Sequence, residues 1–178
     1  MNHLDHIKLN VSSPAEPIPP GRGFYQLEEE ALFVQVGVFN RQRRFYSYLE
    51  ADNLLLEFDR RGRLIFMEVS VPRRLWQTKA ELSSPPRVEA ADVRWLDFRS
   101  HIRSPVILTN GNRSVAKVVL DDNRTDLLNY YLAQSIILQV DGHNRAAAVW
   151  VTDIIDDSAG QEIADFRKGS RHSEAAEV

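Results

Sequence analysis

The chain has 178 residues, 43% apolar and 26% charged, with a net charge of −3. That length fits one domain, or two small halves sharing a core, and the negative balance argues against a molecule-wide nucleic-acid binder. With no cysteine, disulfides, thiolate nucleophiles and cysteine-ligated zinc are all excluded, which suits a reducing compartment.

No run approaches the ~18 apolar residues of a membrane span. Met1 to Val11 lacks the apolar core of roughly 7–15 residues that a secretory signal needs. The expectation is a cytoplasmic protein that does not enter a membrane. Of the 22 basic residues 18 are Arg and 4 are Lys.

Residues 1–22 read as an extended arm, because Pro14, Pro17, Pro19 and Pro20 favour a polyproline-like path over a packed element. Residues 23–82 form a first β unit. Gly23 to Leu27 is a short aromatic strand, and Ala31 to Phe39 a half-buried one. After the charged loop Asn40 to Arg44 come Phe45, Tyr46 and Tyr48. Asn53 to Val71 reads as a hairpin whose strands are apolar on both faces, and such strands are covered on both faces. Pro72 to Leu82 suits a short helix with proline in its first turn.

Ser83 to Pro86 is the clearest internal break, and 83–87 is read as a linker. Residues 88–155 form a second β unit. Val93 to Arg99 alternates as a strand does, and Pro105 to Thr109 pairs with Ser114 to Leu120 across Asn110-Gly111. Thr125 to Gln134 places Leu127, Leu128, Tyr131 and Leu132 at helical spacing, with Asp122 or Asn123 as caps. A hairpin from Ser135 to Asp153 closes the fold. Residues 156–178 are polar enough to read as a disordered tail.

The two long hairpins match. Leu56, Asp59, Arg63 and Val69 recur as Leu138, Asp141, Arg145 and Val151, 82 positions later. Each Asp opens a turn, where its side chain caps the backbone two residues on. Gly62 stands opposite Asn144, and both types tolerate the left-handed backbone of a bulged loop. The pattern points to an internal duplication. The expected fold is mainly β: antiparallel hairpins in a sandwich or barrel-like core, with one or two short helices.

Phe24 to Val69 also resembles a family of short bacterial proteins, a domain of unknown function. Its members carry an acidic D-x-E-x-D-A-L-Y-I element, then a strand ending in L-D-x-D, a glycine turn and a V-x-G-I-E-I return strand. Tyr25, Glu28, Glu30, Ala31, Leu32, Phe33 and Val34 would be the first element. Leu54 to Asp59, Gly62, Arg63 to Ile65 and Met67 to Val69 would be the second. Phe66 departs from the usual glycine, and the family does not normally carry a second copy. The resemblance implies a compact β-rich module with no established activity and no catalytic residues.

Motifs of chemistry are absent: no Walker loop, no G-x-G-x-x-G, no H-E-x-x-H and no G-x-S-x-G. His3, His6, His101, His143 and His172 are scattered, and no metal site or cofactor is expected. One constellation mixes cations with aromatics, as single-stranded nucleic-acid sites do: Arg41, Arg43, Arg44, Tyr46, Tyr48, Arg60 and Arg61. Charged hairpin tips explain it more simply. The first expectation is therefore a non-catalytic interaction or structural module that homo-oligomerises or meets a protein partner. A small-molecule-binding barrel or sandwich, catalytic or not, is the second, with Trp76, Trp95 and Trp150 as candidate lining. A nucleic-acid binder is the third.

Overall fold

The computed structural model describes residues 8–38, 43–96, 104–122 and 125–175, with backbone alone from 170 onward. Its elements in chain order are β1 (Leu9–Ser12), β2 (Gly21–Gln26), β3 (Ala31–Val36), β4 (Ser47–Ala51), β5 (Leu54–Phe58) and β6 (Leu64–Val69). A 3-10 turn (Arg73–Leu75) leads to β7 (Gln77–Thr78), β8 (Glu89–Ala90) and β9 (Asp92–Trp95). Then come β10 (Val106–Thr109), β11 (Ala116–Val119), β12 (Leu128–Ala133), β13 (Ile136–Val140), β14 (Ala146–Val151), β15 (Ile155–Asp157) and α1 (Gln161–Ala175).

The fold is mainly β. A six-stranded sheet runs β15-β2-β3-β6-β5-β4, a seven-stranded sheet runs β7-β10-β11-β14-β13-β12-β8, and β1 and β9 form a two-stranded ribbon. Neither large sheet closes into a barrel. Leu32, Leu56, Met67 and Val69 from one sheet share a buried cluster with Val118, Leu138, Val149 and Val151 from the other, as in a sandwich. Leu9, Val93 and Trp95 of the ribbon complete this core.

The two large sheets repeat one succession. In each, two hairpins pair so that the second return strand, β6 or β14, lies against the second strand of the first hairpin, β3 or β11. The outer partners β15 and β7 are both parallel, to β2 and β10 respectively. Each comes from the far side of the chain: β7 follows β6 yet joins the seven-stranded sheet, and β15 follows β14 yet returns to the six-stranded one.

The long hairpins share the amide bonds of their turn. Asp59 Oδ1 accepts from the amides of Arg61 and Arg63, each at 2.9 Å, and Asp141 Oδ1 accepts from those of His143 and Arg145, each at 2.9 Å. Arg63 Nε donates to Asp59 Oδ2 at 2.7 Å, and Arg145 Nε lies 3.2 Å from Asp141 Oδ2. Gly62 at φ +79° and Asn144 at φ +55° are both left-handed. Both tips are tied to the ribbon, by Trp95 N to Gly62 O at 2.7 Å and Leu9 N to Asn144 O at 2.9 Å. Where β2 meets the second hairpin only glycine fits, since a Cβ on Gly23 would stand 2.4 Å from Val151 Cγ1.

Four expectations need correction. The arm holds a packed strand: β1 finds a partner in β9, and alternation buries Leu9. Pro72 to Leu82 makes only the 3-10 turn before β7 extends. Thr125 to Gln134 is not a helix, because Asp126 takes φ +55° and Tyr130 and Tyr131 pair with β13 as β12. The tail is ordered through 175. Asp157, buried, accepts from the amides of Glu162 and Ile163 at 3.0 Å each, capping α1. The helix then lays Ile163 and Phe166 on Phe24, Phe33 and Phe66. The Asn110-Gly111 hairpin forms, but with a loop over 110–115 in which Arg113, not the glycine, is left-handed.

Strands apolar on both faces thus find both covers within the chain: the second sheet inside and α1 outside. The outer layer carries a pH dependence. Burial, and next the negative charge of Glu29, push the Glu68 carboxyl above its ordinary range. The folded state therefore holds a proton that the unfolded state has released, and stability falls as pH rises from the ordinary glutamate range through the raised one. Glu68→Gln should raise the melting midpoint at pH 7 and leave it nearly unchanged at pH 4, as thermal unfolding at the two pH values would show.

Candidate functional site

Two features of the surface stand out. The first is a small groove between the arm and the first long hairpin. Glu16 and its neighbouring prolines, Arg61, Arg63 and Leu64, and Arg43 and Asp92 line it. Its free volume is about 80 Å³, well below the roughly 300 Å³ or more of a site for a drug-sized ligand. None of Trp76, Trp95 and Trp150 lines it. Trp95 packs on Phe58 with ring centres 5.1 Å apart, and Trp76 meets Tyr25 edge-on at 5.5 Å, so both serve the core.

Charge in the groove is dense. The side chains of Arg43 and Arg63 are only 13% and 11% exposed. Burial, then the nearby Arg63, lower the pKa of Arg43, while Glu16, Asp59 and Asp92 oppose this. An arginine stays charged through such a shift. Glu16 Oε2 stands 3.9 Å from both Arg43 Nη2 and Arg63 Nη1, beyond hydrogen-bond reach. Arg63 Nη2 is buried without a hydrogen-bond partner among the described residues.

The second feature is the free edge of the six-stranded sheet. β4 pairs with β5 on one side, and no described strand covers the other. Its counterpart β12 is covered by β8. Phe45, Tyr46 and Tyr48 are 48%, 60% and 53% exposed there. Phe45 stacks on Tyr48 with centres 6.3 Å apart, and the Arg60 guanidinium lies 5.5 Å over Tyr46.

The seven residues read from sequence as one patch therefore divide. Arg43 and Arg61 line the groove. Arg60, Tyr46 and Tyr48 belong to the sheet edge. Arg44 is half-buried, and Arg41 lies outside the described residues. Arg63, at the same hairpin tip as Arg60 and Arg61, also lines the groove; sequence reasoning missed Glu16 and Asp92, because they come from segments far apart in the chain. Of the histidines, His143 is exposed at a hairpin tip, and His3, His6 and His101 lie outside the described residues. Among the described residues no group of three acidic or histidine side chains stands close enough to hold a metal ion. No protein-family profile matches the chain, and comparison with curated proteins finds no significant relative.

Proposed function

We propose that this chain is a non-catalytic β-rich interaction module, built by duplication of a hairpin unit, that pairs with a second copy of itself through β4. One observation carries the reading: an edge strand with exposed aromatics and, among the described residues, none of the usual guards. β4 has neither proline nor lysine, and Glu50 is its one charge. Natural sheets protect such edges or use them. An antiparallel partner is the simplest occupant, because a two-fold axis beside β4 would set Tyr46 and Tyr48 of each copy against the other and continue the sheet. The matched turns at Asp59 and Asp141 support the duplication. The cysteine-free composition supports a cytoplasmic setting, and no helix among the described residues is long and apolar enough to cross a membrane.

Native mass spectrometry over a range of concentrations tests this. Twice the 20.4 kDa chain mass is expected for the wild type. The double substitution Tyr46→Lys and Tyr48→Lys should return the single-chain mass while far-UV circular dichroism stays unchanged. A wild type that remains at one chain mass overturns the reading.

The same edge gives single-stranded nucleic acid a specific foothold, since Arg60 over Tyr46 offers a cation beside a stacking face. That second reading requires an oligonucleotide affinity that weakens steeply with salt.

A further inference from the structure

We propose that residues 79–88 are a releasable strap over the outer face of the seven-stranded sheet, opening on their own while both sheets stay folded. This goes beyond self-association, and β4 takes no part in it.

Topology places the strap. β7 and β8 are the two end strands of the seven-stranded sheet, so the chain between them passes from one edge to the other. Across seven strands that distance is about 29 Å. Fully extended, the chain from Thr78 to Glu89 reaches at most roughly 36–40 Å, which leaves little room for a detour. The inner face is filled by the six-stranded sheet, so the path runs over the outer one. α1 holds the matching place on the other sheet. It follows β15 as the strap follows β7, and it covers the outer face of β2, β3 and β6.

Alternation defines the face beneath. On β13, Ile136, Leu138 and Val140 point into the core, so Ile137 and Gln139 point out. On β14, Val149 and Val151 point in, and Ala148 and Trp150 point out. Lys117 Nζ lies 5.3 Å over the Trp150 ring. Ile137, Gln139, Ala148 and Trp150 are all buried, yet none belongs to the core between the sheets or to the cluster under α1. Trp150 Nε1 and Gln139 Oε1 have no hydrogen-bond partner, and neither has Oδ1 of Asn129, which pairs with Gln139 across β12 and β13.

The strap is weakly held. The Lys79 amide donates to Thr109 O at 2.8 Å, and β8 pairs with β12 at two residues. Between them, Ser83 to Arg87 make no backbone hydrogen bond among the described residues, and Pro85 and Pro86 have no N–H to give. Leu82, Pro85 and Val88 are half-buried, while Ser83, Pro86 and Arg87 are exposed. Burial of Ile137 and Trp150 favours closure. The stranded polar atoms oppose it, because lifting the strap returns them to water. The balance makes a cover that opens far more easily than the sheets come apart. Buried anchors on either side keep the movement local: Trp76 before β7, and Val93 and Trp95 after β8.

The chain has no cysteine, so single introduced thiols report on one face at a time. Ile137→Cys stands on the outer face, and Val149→Cys, on the neighbouring strand, faces the core. Thiol labelling of the folded full chain is followed at low urea. Ile137→Cys should label about tenfold or more faster than Val149→Cys, at a rate nearly independent of urea, as a local opening that exposes little surface requires. Pro85→Gly with Pro86→Gly, which loosens the strap, should speed labelling at Ile137→Cys several-fold relative to Val149→Cys. Should Ile137→Cys not fold, Ala148→Cys, a small change on the same face, takes its place. Equal rates and equal urea dependence on the two faces overturn the proposal, and so does a loosened strap that leaves their ratio unchanged.

Discussion

Replacing Asp59 with alanine should cost about 3–5 kcal/mol of folding stability, the loss typical when a buried ion pair keeps only one member. The carboxylate is fully buried and accepts from two turn amides and from Arg63 Nε. Removing it strands all three donors, and the Arg63 side chain has little solvent to turn to. Asp59→Asn keeps an acceptor for the turn amides and loses the charge, so its cost should be smaller. Asp141→Ala supplies an internal comparison. The turn bonds are the same, but the Arg145 side chain is 26% exposed and can rehydrate. Urea unfolding should therefore rank Asp59→Ala as most damaging and Asp141→Ala next. Equal stability of Asp59→Ala and wild type would refute this account of the turn.

Phe66→Ala should be comparably severe, at about 3–5 kcal/mol. The ring lies between Phe33, 6.0 Å away centre to centre, and Phe166 of α1, 4.5 Å away. Among the described side chains of α1, Ile163 and Phe166 anchor the helix in this cluster. Truncating Phe66 thus opens a cavity and removes the ring on which Phe166 stacks. Hydrogen exchange would separate the two effects. The amides of 164–169 should lose protection down to a local-opening level, while those of β13 and β14 should fall only by the global loss. A uniform fall would mean that the helix unfolds only with the whole molecule.

The hairpins were readable because their signals are local. Asp59 and Gly62, like Asp141 and Asn144, specify a turn within four residues, and apolar strands on either side specify what it joins. β12 was misread because Leu127, Leu128, Tyr131 and Leu132 satisfy a helical spacing, while the left-handed backbone at Asp126 and the pairing with β13 depend on context. α1 escaped notice for a related reason. A helix with two deep anchors looks too polar to fold, until the aromatic face prepared by β2, β3 and β6 is in place. The groove was less accessible still. Glu16, Arg43, Arg63 and Asp92 are unremarkable one by one, and only the tertiary fold sets them together. The edge at β4 is half legible: its aromatics stand in the sequence, but that no described strand covers its outer side depends on the tertiary fold.

The exchange of outer strands has a consequence for synthesis and assembly. The six-stranded sheet receives β15, which follows every strand of the seven-stranded sheet in sequence, and the seven-stranded sheet receives β7, which directly follows β6. A ribosome that has delivered residues 23–82 has therefore made a sheet with an open flank and a strand with no place to dock. The flank beside β2 stays open until β15 has emerged, and β7 waits only for β10, so the β2–β15 pairing is the sequence-distant and late one. During that interval the vacant side of β2 can accept β15 from another molecule. At high expression the characteristic error would be an interlocked dimer, identical in every contact to two single chains and separable only by unfolding.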